Sequence, residues 1–332
     1  MILRYKVLSR HARVFQSMTG LRVPEFDELF QDVRLGHEQA YRQHLEVQRQ
    51  QRCQPPRVRA IGGGPAFGLE ARDQVLLCVV WLRQYPAHEV LAYLFGTSDS
   101  TVSRLLQRVL PVLEQSGRDT MRRPDPGRHQ HRTLDDLLRD TPQLAVLIDS
   151  FEQRVQRPRS GSDSGSDSGS DAAKKSKKDV FYSGKKKQHT LKSQVTVNEV
   201  SGQIVDVAQS VPGPTADRTL LEESGLLGRL PAGVGAIGDL AYLGMAELHR
   251  QGLAATPRRK PRGKERPPED VAYNRALARR RIPVEHSIGK LRRYQSLTQM
   301  DRHHRQKHTA RVCAVAGLVN RQIKHRHPAL FA

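Results

Sequence analysis

Two short apolar runs constrain this chain most: residues 144–149 read LAVLID and residues 234–239 read VGAIGD. Each is too short for a core helix and carries β-branched residues, so each predicts a buried strand, and both end in an aspartate. A strand ending in a carboxylate delivers it to the carboxyl edge of a sheet, where active sites commonly form. A strand-end aspartate also serves as a turn residue or helix N-cap, and one run alone does not choose between these roles.

The surrounding pattern predicts further strands at 188–198 and 203–209, with helices near 216–227, 244–251, 270–294 and 304–326. That order predicts an α/β (α+β) fold, a mixed sheet covered by helices. In the helical segment RRRIPVEHSIGKLRRY, Leu277, Val284, Ile288 and Leu291 share one stripe, with Arg281, Glu285 and Arg292 beside it. Pro283 predicts a kink or a first turn. Glu285 thus lies next to a buried face, although a surface Arg/Glu pair has the same spacing.

Residues 1–64 read as a helical region with little diagnostic content, and GGGP at 62–65 reads as a turn. From 65 to 117 three helical patterns follow, at 70–84, 86–95 and 99–114, with Gly96-Thr97-Ser98 as stop and N-cap. A short helix, a tight turn and a second helix make a helix-turn-helix candidate, and a plain three-helix bundle is the competing description. Ser100, Thr101 and Ser103 at the start of its second helix, with Arg104 and Arg108 behind, suit contact with phosphates and base edges. Residues 118–141 read as a linker. The Gly/Ser/Asp repeat and lysine cluster at 159–178 predict a disordered insertion, because they hold no apolar surface to bury. The repeat lacks the glutamate of a calcium loop.

A net charge of +21 and a pI near 10.4 point to a polyanionic partner. No apolar run suits a membrane span. Cys53, Cys78 and Cys313 form no CxxC pair, which argues against a disulfide scaffold or zinc module and for the reducing cytoplasm. Between 275 and 326 fourteen Lys/Arg face two acids, a balance that gives salt-sensitive DNA affinity and includes Arg281. Lys185, Lys186, Lys187 and Lys192, on and before the 188–198 strand, are phosphate-binding candidates, a solvated basic hairpin being the alternative. His303, His304 and His308 lack a partnering Cys or carboxylate pattern and read as polar helix-face residues. No P-loop or nucleophile elbow is present, and no RNP-like aromatic motif supports an RNA-binding reading.

The ordered set LIDSFEQRVQRP, FYSGKKKQHTLKSQVTVN, GDLAYLG and RRRIPVEHSIGKLRRY, preceded by STVSRLL, resembles the DDE-superfamily transposases of bacterial insertion sequences, in the Harbinger-like branch. The resemblance spans about 69–323. It implies a ribonuclease H-like catalytic domain at 142–327 after the all-α helix-turn-helix, in which Asp149, Asp239 and Glu285 bind two Mg²⁺ or Mn²⁺ ions. Arg292, seven residues after the glutamate, occupies a basic position where the family more often has lysine. The implied activity is metal-dependent cleavage and strand transfer at terminal inverted repeats, by a homo-oligomer on double-stranded DNA. A transposase-derived regulator that binds without cutting is the alternative, and the intact acids count against it.

Overall fold

The computed structural model describes residues 3–53, 68–121, 145–157 and 180–328. The turn at 62–65, the linker beyond 121 and the insertion at 159–178 lie outside the described residues. The chain forms two compact units. One comprises the segment up to Thr120 with Arg293–Ser296 and Cys313–Arg326, and the other comprises Met121–Arg292, Leu297–Val312 and the C-terminus.

The first unit is all-helical among the described residues: α1 (Tyr5–Leu8), α2 (Ala12–Thr19), α3 (Val23–Gln51), α4 (Ala71–Gln84), α5 (His88–Phe95) and α6 (Asp99–Asp119). Every residue of α4 from Asp73 to Leu82 is buried, so α4 is the central helix, and Phe15, Phe26 and Phe95 pack around it with Trp81. Gly96 ends α5 in the left-handed region, at φ 60°, and the Ser98 hydroxyl then accepts the Thr101 N–H at 3.2 Å to start α6. α5 begins at His88, two residues later than the 86–95 pattern, so Pro86 precedes the helix. Val102, Leu105, Leu106, Val109, Leu110 and Leu113 form the buried stripe of α6.

The second unit contains β1 (Ala145–Arg154), β2 (Tyr182–Ser183), β3 (Gln188–Asn198), β4 (Ile204–Val207), β5 (Val211–Pro212), α7 (Asp217–Ser224), α8 (Leu226–Arg229), β6 (Gly235–Ile237), α9 (Met245–Leu248), β7 (Ala254–Ala255) and α10 (Pro268–Leu291). The last helix, α11 (His308–Arg326), gives its first turn to this unit and the rest to the other. Among the described residues seven strands form one sheet, ordered β2-β3-β1-β6-β7, with β4 and β5 also pairing β3. β1 runs antiparallel to β3 and parallel to β6, and β6 runs parallel to β7. This is the mixed sheet accompanied by helices that the sequence pattern predicts. Val146, Ile148, Val205, Leu221, Leu227, Ala236, Tyr242 and Met245 fill the layer between the sheet and α7–α9. No helix among the described residues is long and apolar enough to cross a membrane.

α10 passes through Pro283 without ending, so Arg281 and Glu285 share one helix. Two contacts hold it against the β3–β4 end of the sheet: Arg280 pairs with Glu199 at 2.6 Å, and the Ser287 hydroxyl donates to the Gly202 carbonyl at 2.6 Å. His308 corrects the helix-face reading. It is fully buried, held by Gln153 Oε1 at 2.8 Å and Ser210 Oγ at 2.8 Å. Beside it Arg311 and Asp301 form a buried ion pair.

Candidate active site and nucleic-acid interface

Ala145, Val146 and Leu147 of β1 pair with Gly235, Ala236 and Ile237 of β6. Two residues beyond the last pair, Leu147 with Ile237, come Asp149, still in β1, and Asp239, just past the end of β6. Asp149 is not the last residue of its strand, as the LAVLID run suggested, because β1 continues to Arg154 along β3. It lies where the parallel pairing with β6 stops, which is the carboxyl edge in the functional sense. Asp239 combines both roles open to it in the sequence: it ends the β6 run, and its Oδ1 accepts the Ala241 N–H at 2.9 Å to cap a 3-10 turn at Leu240–Tyr242.

Alternation along β1 turns Asp149 and Ser150 to opposite faces of the sheet. On the α10 side, Asp149 Oδ1 accepts the Ser150 backbone N–H at 2.7 Å and Oδ2 accepts from Arg281 at 3.2 Å. Burial raises the Asp149 carboxyl above its ordinary value. The Ser150 amide and Arg281 oppose that shift, while the charges of Asp239 and Asp217 add to it. On the α7 side, the Ser150 hydroxyl donates to Asp217 Oδ1 at 2.5 Å. Lys192 Nζ lies 3.2 Å from that same oxygen and donates to the Thr215 carbonyl at 2.6 Å. Tyr242 is 1% exposed, and its hydroxyl lies beside the Ser150 side chain within the field of Asp217, Asp149 and Asp239.

Glu285 is exposed on α10, one turn beyond Arg281, and Arg292 is exposed at the end of the same helix, two turns beyond Glu285. No group of three His, Cys, Asp or Glu side chains among the described residues stands at metal-binding spacing. The donor chemistry nonetheless suits a hard divalent cation, since Asp149, Asp239 and Glu285 offer only carboxylate oxygen.

The other expected contacts divide by exposure. Lys185, Lys186 and Lys187 are exposed in the turn between β2 and β3, and Lys187 adopts φ 52° there. Lys192 departs from the surface role expected of it: it is 7% exposed and tied to Asp217, because β3 turns it inward opposite Glu152. Arg281 is partly buried on Asp149 and so neutralises an acid in this structure. In the helical unit, Ser100 and Arg104 are exposed at the start of α6, Thr101 and Ser103 half-exposed, and Arg104 Nε donates to the Ser100 carbonyl at 3.1 Å. Arg108 turns inward, donating to Gln74 Oε1 at 2.7 Å with its guanidinium 5.1 Å from the centre of the Tyr41 ring.

Asp217, Ser150 and Tyr242 escaped the sequence reading. Asp217 has the signature of a helix start and nothing more, and Tyr242 lies three residues beyond an aspartate that drew the attention.

Residues 148–320 match the family described as DDE superfamily endonuclease, and residues 68–119 match the helix-turn-helix of DDE superfamily endonuclease. The chain is 28% identical over 251 residues to a probable transposase for insertion sequence element IS702 from Microchaete diplosiphon, covering 76% of this chain and 80% of that protein. Among solved structures it is similar to a Mos1 transposase paired-end complex with left transposon end, at 13% identity and a TM-score of 0.20, covering 71% of this chain and 82% of that one.

Proposed function

This chain belongs to the DDE superfamily endonucleases, and from that premise we propose that it is an insertion-element transposase that cuts and rejoins DNA at terminal inverted repeats. The observation that carries the reading is the parallel pairing of β1 with β6, two residues beyond which come Asp149 and Asp239, with Asp149 in the field of the Asp239 charge. The similarity to a protein named as a probable transposase supports the same assignment.

In this reading Asp149, Asp239 and Glu285 hold divalent metal, Mg²⁺ or Mn²⁺, with two ions the expected number. When bound, such ions neutralise the charge that develops on the attacking and leaving oxygens in phosphodiester transfer. The chain's own residues supply the rest. Burial at the sheet edge gives Asp149 a low-dielectric setting, and Arg281 balances its charge until substrate arrives. Arg292 and Lys185, Lys186 and Lys187 bind phosphates of the strand being cut. Ser100, Thr101, Ser103 and Arg104 at the exposed start of α6 read the repeat. Residues 65–117 form the reading domain and 142–327 the catalytic one. The active species is a homo-oligomer bridging two DNA ends, and it works in the cytoplasm on the nucleoid.

The test is strand cleavage of a duplex carrying the element's terminal repeat, with Mg²⁺ or Mn²⁺ and the full chain. Asp149→Ala, Asp239→Ala and Glu285→Ala should each abolish cleavage and leave duplex binding intact. Binding without cleavage by the unaltered chain in both metals would move the assignment to a silent regulator.

A further inference from the structure

Asp217 has no place in the reaction as described so far, yet it organises the strand that carries Asp149. Its Oδ1 takes the Ser150 hydroxyl at 2.5 Å and the Lys192 ammonium at 3.2 Å. The β1–β3 register sets Glu152 opposite Lys192 and Ser150 opposite Gln194, so Ser150 and Lys192 are diagonal neighbours on one sheet face. Asp217, the first residue of α7, closes over both. On the opposite face the Ser150 backbone N–H donates to Asp149 Oδ1 at 2.7 Å. One residue therefore carries both ends of a relay from Asp217 through the Ser150 side chain to its amide and then to Asp149. The Tyr242 hydroxyl is buried beside the Ser150 side chain within the field of the same acids.

We propose that Asp217 is a positioning residue of this site: with Lys192 it clamps Ser150 from behind β1 and so fixes the amide that orients Asp149. The proposal rests on the reading of Asp149 as a metal-binding acid, but the clamp itself is a property of the metal-free chain. The Lys192 ammonium, 3.2 Å from Asp217 Oδ1, holds Asp217 in place, which gives a buried lysine its partner in a segment otherwise rich in exposed ones. Outer-shell partners of this kind change metal affinity by about tenfold or more when removed.

The experiment compares the full chain with Asp217→Ala, Asp217→Asn and the charge-balanced Asp217→Asn/Lys192→Gln, with Asp149→Ala as reference. Hydrogen–deuterium exchange of the metal-free proteins should show faster exchange at the Ser150 amide in Asp217→Ala, with the amides of α4 unchanged. Calorimetric titration with Mn²⁺ should show about tenfold weaker binding for Asp217→Ala. The charge-balanced pair, which keeps an acceptor for Ser150 and leaves no unpaired buried ammonium, should recover most of both properties. Unchanged exchange at Ser150 in Asp217→Ala overturns the clamp. Altered exchange with wild-type Mn²⁺ affinity, where Asp149→Ala has lost it, overturns the positioning role. If the unaltered chain binds Mn²⁺ no better than Asp149→Ala, the metal reading fails, and the exchange result alone decides the clamp.

Discussion

Arg281 donates to Asp149 Oδ2 at 3.2 Å across 132 residues of sequence, and Glu285 follows Arg281 by one turn of the same helix. The guanidinium thus occupies one oxygen of an acid proposed to bind metal. Removing it should leave a largely buried carboxylate short of its cation. Arg281→Gln is expected to lower metal-free stability at pH 7 by about 1.5–3 kcal/mol, the range for a hydrogen bond to a charged group. The deficit should shrink as Asp149 takes up its proton at low pH. Chemical denaturation at both pH values measures it, and an equal loss at each would mean that Arg281 stabilises the fold by packing rather than by charge.

Asp149 itself is an expected weak point of the metal-free fold. Burial first, and then the charges of Asp239 and Asp217, raise its carboxyl above the ordinary value. A raised acid binds its proton more tightly folded than unfolded. Its contribution to stability is therefore present below the unfolded value and lost as pH rises through the folded one. Asp149→Asn should accordingly melt higher than the unaltered chain at pH 7 without metal, with the gap closing on acidification. A lower melting temperature at pH 7 would show that the lost Arg281 contact outweighs the relief.

His308 sets a pH dependence of the opposite kind. Burial, with the charge of Arg311 added, pushes it down to about 3, so it is neutral in the fold. A depressed folded value means stability that is present above the unfolded value, near 6.5, and lost as pH falls toward 3. His308→Gln should be less stable at pH 7, having lost its fit between Gln153 and Ser210, yet lose less further stability between pH 6.5 and 4. Parallel stability curves for the two proteins over that interval would remove His308 as the source of acid sensitivity.

Close helix packing in the first unit gives a purely structural prediction. A Cβ at Gly117 of α6 would run into the Cys313 backbone carbonyl of α11, and one at Gly317 would run into Gly117. Neither neighbour is a flexible side chain that can swing away. Gly117→Ala should therefore cost at least about 1–3 kcal/mol, the usual range for overpacking a core. A thermal shift within error of zero would mean that the two helices separate easily.

The legible parts of this protein were those written in local pattern. The LAVLID and VGAIGD runs disclosed β1, β6 and their aspartates, and the 188–198 strand emerged with its predicted bounds. Caps at Gly96 and Ser98 marked the α5–α6 turn. Two-residue strands such as β2, β5 and β7 have no period to detect, and they exist only because a neighbour supplies the ladder. The relay from Asp217 was closed for a different reason: its partners Ser150 and Lys192 are 67 and 25 residues away in sequence, and only the sheet register brings them together. Lys192 was misread because four lysines in a short span look like one exposed cluster, whereas strand alternation buries this one.

The last prediction separates two arginines that sequence treated alike. Arg104 and Arg108 stand one turn apart on α6, but Arg104 is exposed at the helix start while Arg108 is held by Gln74 and Tyr41 inside the helical unit. If α6 reads the repeat, Arg104 is positioned for DNA and Arg108 for the fold. Arg104→Ala should weaken binding to a repeat-end duplex by about 1–3 kcal/mol relative to a scrambled duplex if it contacts a base edge. Its melting temperature should stay at the wild-type value. Arg108→Ala should instead lower the melting temperature, because Gln74 Oε1 loses one of its two partners and the Tyr41 ring its cation. Mobility shifts with both duplexes, alongside thermal melts of both variants, distinguish the roles. Loss of sequence preference in Arg108→Ala at unchanged stability would show that Arg108 swings outward onto DNA, and that its inward contacts belong to the free protein alone.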